Sequence, residues 1–251
     1  MSFFDRFALC SLCLALAMPA QAGEPVKLTG HPNWPPFSWQ RGDRIVGIGP
    51  DFAEIVFRDV GLSVISVPSG NWKRAQAQVA AGAVDVLVAA YRTAERTRSM
   101  AYPAAPFMQD VNVLWVLQER QFPFHQWEDL IGKHGSAMLG ESYGQKFDDF
   151  IKEKLQIEWV STPAQSLQKL ALGRADYYPF SLHGGQIQIK QYGYQGMITH
   201  LPMAISTEDI YITMSKRSRY LKYLPALEAA IAARRADGTV ERLIHKYTPP
   251  E

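Results

Sequence analysis

The chain has 251 residues, of which 47% are hydrophobic, and its 26 basic and 24 acidic side chains leave a formal net charge of +2. This near balance of charge, with no long basic block, argues against nucleic acid as a partner. After the N-terminal segment no run of 18 apolar residues occurs, so we expect the mature chain to be soluble.

The N-terminal segment is typical of a secretory signal peptide. Arg6 precedes an apolar run of twelve residues, Phe7 to Met18, and Ala20-Gln21-Ala22 places small residues where signal peptidase reads them. Twelve residues are too few to span a bilayer, which needs about 20. We therefore expect cleavage after Ala22 and a periplasmic location. Cleavage would also remove both cysteines, Cys10 and Cys13, which excludes disulfides and thiolate metal sites from the mature chain.

Strand and helix patterns alternate along the first half of the mature chain, which indicates an α/β architecture. Pro50 and Asp51 suit the first turn of a helix, and Asn71 can cap another that ends before Gly82. The pattern predicts strands at 26–29, 63–67 and 84–90, and helices at 50–60 and 71–81.

The second half repeats this order, with Thr162 as a helix cap and Pro163 in the first turn. The residues before two of the strands correspond: a helix, a glycine, two residues and an aspartate occur at Gly82 to Asp85 and again at Gly173 to Asp176. Two such junctions at matching places predict two lobes of similar topology. The pattern predicts strands at 136–139, 158–160 and 175–180, and helices ending near 155 and before 173.

Two further helices are predicted over 221–247, with Asp237-Gly238 as the break between them. We expect this segment to return to the first lobe, which requires two connections between the lobes. The predicted division is a signal peptide at 1–22, lobe 1 at 23–113 and 209–251, and lobe 2 at 114–208. Ligands of open α/β sheets bind at the carboxyl ends of strands, so two facing lobes would form a cleft that closes by hinge motion.

Several motifs, in this order and spacing, resemble family 3 extracellular solute-binding proteins, the amino-acid-type component of bacterial ABC transporters. The resemblance covers essentially all of the mature chain and implies the two-lobe periplasmic-binding-protein type II fold with two hinge crossovers. It also implies a small carboxylate-bearing ligand, a membrane permease as partner and no cofactor. The motifs are Trp34-Pro35-Pro36-Phe37, Gly47 to Phe52, Gly82 to Val86, Thr93 to Arg96 with Tyr102 and Pro106-Phe107, Asp129 to Lys133, and Ala236 to Thr239 with Lys246-Tyr247.

Arginine and a helix N-terminus are the candidates for binding a carboxylate. Arg96 follows a buried strand, and the resemblance gives it the role of holding the α-carboxylate through its planar fork. Arg92 either reaches the ligand or lines the rim. Glu141 and Ser142 lie in the second-lobe turn that resembles the family's other carboxylate contact. Ser142 is alternatively a plain helix N-cap, and Glu141 would repel an anion unless it points outward or binds an amine.

Trp34, Trp72 and Tyr91 are the aromatic candidates, since a flat ring can cover an apolar or cationic ligand group. Their alternative role is to fill the core. At Ser181, five residues after Asp176, the sequence departs from the family, which often has an acid there for the ligand's α-amine. A neutral hydroxyl leaves open whether the ligand carries a free amine.

No histidine pair has metal-ligand spacing, and no nucleophile elbow, HExxH or phosphate loop occurs. We therefore expect no metal, no catalytic residue and no enzymatic activity. Capture of a solute for transport by a monomer, whose lobes must move, is the main hypothesis. The alternatives are a ligand-sensing protein that serves a receptor and a dehydratase-like enzyme on the same scaffold, for which Glu141 would be the acid or base.

Overall fold

The computed structural model describes residues 23–248, so the predicted signal peptide lies outside the described part of the chain. The elements of the first part are strands β1 (Val26–Thr29), β2 (Asn33–Trp34), β3 (Ser38–Arg41), β4 (Arg44–Val46), β5 (Val64–Ser66), β6 (Val86–Tyr91) and β7 (Met100–Ala101), and helices α1 (Ile48–Asp59), α2 (Trp72–Ala81) and α3 (Ala94–Thr97).

The second part begins with a long strand and ends with two helices. Its strands are β8 (Met108–Leu117), β9 (His134–Met138), β10 (Gln156–Val160), β11 (Tyr178–Ser181), β12 (Ile198–His200) and β13 (Ser206–Ser215), and its helices are α4 (Gln145–Lys154), α5 (Pro163–Ala171), α6 (Leu182–Tyr192), α7 (Leu224–Ala236) and α8 (Thr239–Tyr247).

Local capping chemistry explains why several predicted helices appear where the sequence places them. Asn71 accepts a hydrogen bond from the Arg74 amide, and Gly82 ends α2 in the left-handed conformation. Thr162 forms a capping box with Gln165 at the start of α5. Three strands are shorter than predicted. β5 spans only Val64–Ser66, and β6 begins at Val86. β11 begins at Tyr178 rather than at residue 175, because the residues before it complete the end of α5 and bond to β9.

Two long antiparallel strands connect the two halves of the molecule. The order in the main sheet is β11-β8-β13-β6-β1-β5, and β9 pairs with β10 in a second, parallel sheet. The first half of β8 pairs with the first half of β13, whereas the second half of β8 pairs with β11 and β12. The second half of β13 pairs with β6. The predicted lobe boundaries at 113 and 208 fall inside these two strands.

The C-terminal helices pack on α1 of the first lobe. Arg234 of α7 donates two hydrogen bonds of 2.7 Å to the carboxylate of Asp59. Lys246 and Tyr247 of α8 both donate to Asp51, over 2.6 and 2.7 Å. Burial of Phe52, Val56 and Phe57 on the inner side of α1 anchors the same helix to the sheet.

The repeated Gly-x-x-Asp junction makes the same hydrogen bonds in both halves. The Asp85 amide donates to the Lys27 carbonyl, and its carboxylate accepts from the Lys27 amide over 2.9 Å. The Asp176 amide donates to the His134 carbonyl, and its carboxylate accepts from the His134 amide over 2.8 Å. Each aspartate therefore fixes the register between the chain leaving a helix and the first strand of its lobe. Asp85 also accepts from the Ser218 hydroxyl over 2.7 Å.

We predict that Asp85→Ala lowers the free energy of unfolding by about 1–2 kcal/mol, because it leaves the Lys27 amide and the Ser218 hydroxyl without an acceptor. Asp176→Ala removes fewer bonds and should cost roughly half as much. Urea denaturation followed by circular dichroism measures both. Asp43→Ala, at an exposed turn, is the matched control. A larger loss for Asp176→Ala than for Asp85→Ala would contradict this account.

Candidate ligand-binding site

A narrow cavity lies between the two lobes, where several strands end. His31 and Trp34 follow β1, Tyr91 ends β6, and Ser181 ends β11, so the carboxyl ends of strands from both lobes form its walls. All but one of the eight residues predicted for the site line this cavity. The full lining is His31, Trp34, Trp72, Ala89, Tyr91, Arg96, Asn112, Glu141, Ser142, Tyr143, Phe180 and Ser181.

A local irregularity shapes the end of β6. The pairing of β13 with β6 shifts register between Tyr211 and Thr213, where two residues of β6 face one of β13, and Ala89 in this bulge has a φ of 52°. A residue other than glycine adopts this left-handed conformation only at a cost of about 1–3 kcal/mol. Bulges bend a strand and redirect its side chains. The bulge lies next to the cavity, since Ala89 is in the cavity lining and directly precedes the last two residues of β6.

Arg96 is buried, with 6% of its surface exposed, and its guanidinium is held from both lobes. It donates to Gln76 Oε1 over 2.8 Å and to the Tyr91 carbonyl over 3.1 Å in the first lobe. It also donates to the Gly140 carbonyl of the second lobe over 3.2 Å. The guanidinium lies 5.2 Å from the ring centre of Trp72, a cation–π distance. Arg96 is thus a fixed positive charge in the cavity wall.

Glu141 reaches across the cleft to His31, a contact that the sequence does not reveal. His31 Nε2 and Glu141 Oε1 are 2.6 Å apart. The Asn33 amide donates to Nδ1 of the same ring, so Nδ1 is unprotonated and Nε2 carries the hydrogen that Glu141 accepts. The histidine is therefore neutral in this arrangement, and the pair joins the lobes without cancelling the charge of the carboxylate.

Aromatic rings form much of the remaining wall, and several of them carry a polar atom without a partner. Trp34 packs edge-on against Tyr91, with ring centres 5.5 Å apart. Among the described residues, the buried Nε1 atoms of Trp34 and Trp72 and the buried hydroxyl of Tyr143 have no hydrogen-bond partner. Such groups are costly to bury unpaired. These three belong to residues that line the cavity, whereas the unpaired hydroxyls of Tyr177 and Tyr178 and Oε1 of Gln188 belong to residues outside the lining.

Ser142 has a different local role from the helix N-cap considered above. The N-cap of α4 is Gly144, at a φ of 97°. The Ser142 hydroxyl donates to Asp148 Oδ2 over 2.5 Å and accepts from the Gly144 amide over 3.3 Å. The residue remains in the cavity lining, but its hydroxyl hydrogen is directed to Asp148.

Ser181 belongs to a buried network centred on Asp110. The Ser181 hydroxyl donates to Asp110 Oδ1 over 2.9 Å, and the Tyr91 hydroxyl donates to Oδ2 over 2.6 Å. Asp110 is 2% exposed. Burial raises the pKa of its carboxyl to about 7, although the hydrogen bonds from Tyr91 and Ser181 oppose that rise. Burial, together with this acid, also raises the pKa of Tyr91 well above its ordinary value.

Arg92 is the one predicted residue that does not line the cavity. Its side chain is exposed and lies over the ring of Tyr102, 5.7 Å from the ring centre. The residue directly follows β6, where the chain turns away from the cleft, and this places it at the outer rim.

Sequence reasoning missed several lining residues and the acid behind them. His31 is not among the predicted site residues, although it lies two residues after the carboxyl end of β1, where ligands of α/β sheets bind. Asp110 and Asn112 are alternate polar residues that precede the apolar second half of β8, and this alternation is the signal that the sequence offers. No group of three or more metal-binding side chains occurs among residues 23–248. No helix among the same residues is long and apolar enough to cross a membrane.

Comparisons with known proteins agree with this architecture. A protein of Vibrio harveyi assigned as an amino-acid ABC transporter-binding protein, PatH, is 23% identical over 243 residues, 96% of this chain and 95% of that protein. A histidine kinase sensor domain with similarity to periplasmic binding proteins is 16% identical, with a TM-score of 0.76 over 91% of this chain and 97% of that one. A mutant of ArgBP from T. maritima is 18% identical, with a TM-score of 0.75 over 90% and 95%.

The two solved structures show the fold that this chain shares with periplasmic binding proteins, two α/β lobes connected by paired strands. The resemblance inferred from the motifs is confirmed by the family model, which matches residues 26–250. The chain belongs to the bacterial extracellular solute-binding proteins, family 3.

Proposed function

We propose that this solute-binding protein captures a small carboxylate-bearing solute, an amino acid or a derivative, and delivers it to the permease of an ABC transporter. The name of the Vibrio harveyi relative supports this ligand class and this partner. An extracellular family is consistent with a periplasmic location, reached after cleavage of the signal peptide behind Ala22.

The observation that carries the proposal is the concentration of hydrogen-bond donors around one cavity. The buried guanidinium of Arg96 supplies a positive charge, and the unpaired donors of Trp34, Trp72 and Tyr143 line the same space. A carboxylate has two oxygens with about four acceptor sites, and it binds a guanidinium in a fixed geometry. A ligand carboxylate would therefore give these donors acceptors and Arg96 a counter-charge.

We further propose that β8 and β13 act as the hinges between lobe 1, residues 23–113 and 209–251, and lobe 2, residues 114–208. Polar contacts across the cleft join a side chain to the backbone or to another side chain, such as Gln76 to the Gly140 carbonyl at 3.0 Å and Gln188 to the Asn33 carbonyl at 3.0 Å. Such contacts can break and re-form when the lobes separate. A monomer leaves both lobes free to move.

The sensing and dehydratase-like alternatives would use the same cavity. Neighbouring genes for a permease and an ATPase would favour transport over sensing. An enzyme would need Glu141 or His31 as acid or base. Recovery of every bound ligand unchanged, measured by mass spectrometry after incubation, would argue against the enzymatic alternative.

A thermal-shift screen of the mature chain against amino acids, small di- and tricarboxylates and short peptides tests the proposed ligand class. A ligand at about 100 times its Kd stabilises the folded state by roughly 2.7 kcal/mol. For a chain of this size we expect that to raise Tm by about 5–10 °C. If no carboxylate raises Tm while uncharged solutes do, the proposal fails.

We predict that Arg96→Ala weakens binding of the best carboxylate ligand by about 2–5 kcal/mol, because a buried anion loses its charged partner. Arg96→Lys should also bind more weakly, since one ammonium cannot reproduce the planar fork. Isothermal titration calorimetry measures both affinities, with circular dichroism as the check on folding.

Arg92→Ala is the matched control for this experiment. The exposed Arg92 lies four residues away at the rim, so its loss should change the affinity by less than about 0.5 kcal/mol. Unchanged affinity in Arg96→Ala would remove this residue from the site, and a large loss in Arg92→Ala would place the ligand further out.

A further inference from the structure

The residue at position 181 carries no charge, which matters if the ligand of the proposed function has an ammonium group. An ammonium group that enters a buried site without a counter-charge is too costly to leave unpaired. Ser181 supplies only a neutral hydroxyl at the place where an acid would be expected. The structure shows what stands behind that hydroxyl: the carboxyl group of Asp110, 2.9 Å from Ser181 Oγ.

Asp110 is connected to the cavity through two hydroxyl groups. Ser181 and Tyr91 both line the cavity, and both donate their hydroxyl hydrogen to Asp110. A hydroxyl that donates in this way keeps its lone pairs for other donors. Ser181 Oγ uses one lone pair for the Gly184 amide, and Tyr91 Oη uses one for Asn112 Nδ2, each at 3.2 Å, so each oxygen has one left. Polarised by the carboxyl group, these oxygens are acceptors suited to an ammonium ligand.

Asp110 is surrounded by neutral and acidic groups from the elements packed against it. Tyr91 approaches from β6 and Ser181 from β11, while Glu208 of β13 is its partner in register. Asn112 lies on the same face of β8, bonded to Tyr91. Glu141 from the turn after β9 adds a further negative charge, which raises the Asp110 pKa slightly.

Glu141 is less suited to the ammonium role than Asp110. It directly follows Gly140, whose carbonyl oxygen binds the Arg96 guanidinium, so it lies beside the end of the cavity where we place the carboxylate. One of its oxygens is also engaged by His31. Tyr91 contacts both ends of the site, since its carbonyl accepts a hydrogen bond from Arg96 and its hydroxyl donates one to Asp110.

We propose that Asp110 is the counter-charge for the ammonium group of the ligand and acts through the hydroxyls of Ser181 and Tyr91. This inference rests on the proposed function, because it assigns the second half of the same site. It makes Asp110 a specificity-determining residue that positions and polarises the groups in contact with the ligand.

The proton balance makes the inference measurable. Before the ligand binds, the carboxyl group is mostly neutral below its pKa of about 7 and mostly ionised above it. An incoming ammonium favours the carboxylate, so the proton leaves to the buffer. We expect more proton to be released per ligand at pH 6 than at pH 8, and binding to be weaker at pH 6 than at pH 8.

The experiment uses pairs of probes that differ only in the α-amine: L-alanine with propionate, L-glutamate with glutarate, L-phenylalanine with 3-phenylpropanoate, and L-arginine with 5-guanidinopentanoate. Each is titrated into the mature chain in two buffers of different ionisation enthalpy, which gives the number of protons released. We expect the amine-bearing member of the best pair to bind more tightly and alone to release the proton.

Asp110→Asn should weaken the amine-bearing probe by at least about tenfold, leave its des-amino partner within about threefold, and abolish the proton release. Glu208→Gln is the matched control, because its half-buried carboxylate lies beside Gly144 rather than on Ser181 or Tyr91. It should retain the proton release. Both variants retain His31 and Glu141, so loss of the proton release in Asp110→Asn alone assigns the released proton to Asp110.

The outcomes separate this inference from the proposed function. Equal binding of both members of a pair, or proton release that survives in Asp110→Asn, overturns the role of Asp110 and leaves carboxylate capture intact. Loss of the amine preference in Glu141→Gln, with the preference retained in Asp110→Asn, assigns the counter-charge to Glu141 instead. Binding of no probe overturns the proposed ligand class and this inference with it.

The ligand-free chain gives a second prediction. The folded state holds the Asp110 proton more tightly than the unfolded state, whose carboxyl has the ordinary value of 3.8. The contribution of this group to the free energy of unfolding is therefore full below pH 3.8 and is lost as pH rises toward about 7. The difference in free energy of unfolding between wild type and Asp110→Asn, measured by denaturation, should fall as the pH rises across this range. A difference that does not change with pH would contradict a buried neutral carboxyl group.

Discussion

Desolvation of the Arg96 guanidinium is the constraint on which the closed arrangement of the lobes depends. A buried cation must find acceptors for its hydrogens, and Arg96 finds them in Gln76, the Tyr91 carbonyl and the Gly140 carbonyl. Two of these belong to the first lobe and one to the second. Gly140 has a φ of 83°, in the left-handed region that glycine adopts without strain.

The architecture places this charge where strands end. The two lobes are built by the same local rules, since Asp85 and Asp176 anchor equivalent junctions with equivalent backbone bonds. Each lobe therefore directs the carboxyl ends of its strands to the same cleft. The two long strands β8 and β13 carry the chain between them, so residues midway along these strands, such as Asp110 and Asn112, lie beside the cavity rather than within either core.

The site contains two acids and one cation, and the acids are not paired with the cation. Glu141 is bonded to a neutral His31, and Asp110 is bonded to two hydroxyls, so neither acid has a cationic partner among the contacts described for it. Arg96 is the cation of the cavity lining. The proposed arrangement places the carboxylate of the ligand toward Arg96 and its ammonium toward Asp110.

The sequence by itself determined the local structure, the family and most of the cavity lining. Caps such as Asn71 and Thr162, the paired junctions and the strand-end positions of Trp34, Tyr91, Arg96 and Ser181 depend on neighbouring residues and on motif order, both of which a sequence displays. Element bounds were less well determined, as at β11, because pairing with a distant strand sets where a strand begins.

Only the tertiary structure decided which acids serve the site and which arginine does not. His31 and Glu141 are separated by 110 positions, and Asp110 and Ser181 by 71, so no local pattern connects them. Their pairing follows from the closing of two lobes and from the register of β8 against β11. The sequence leaves open whether Arg92 reaches the ligand, and the direction of the chain after β6 places it at the rim, outside the cavity wall that contains Arg96.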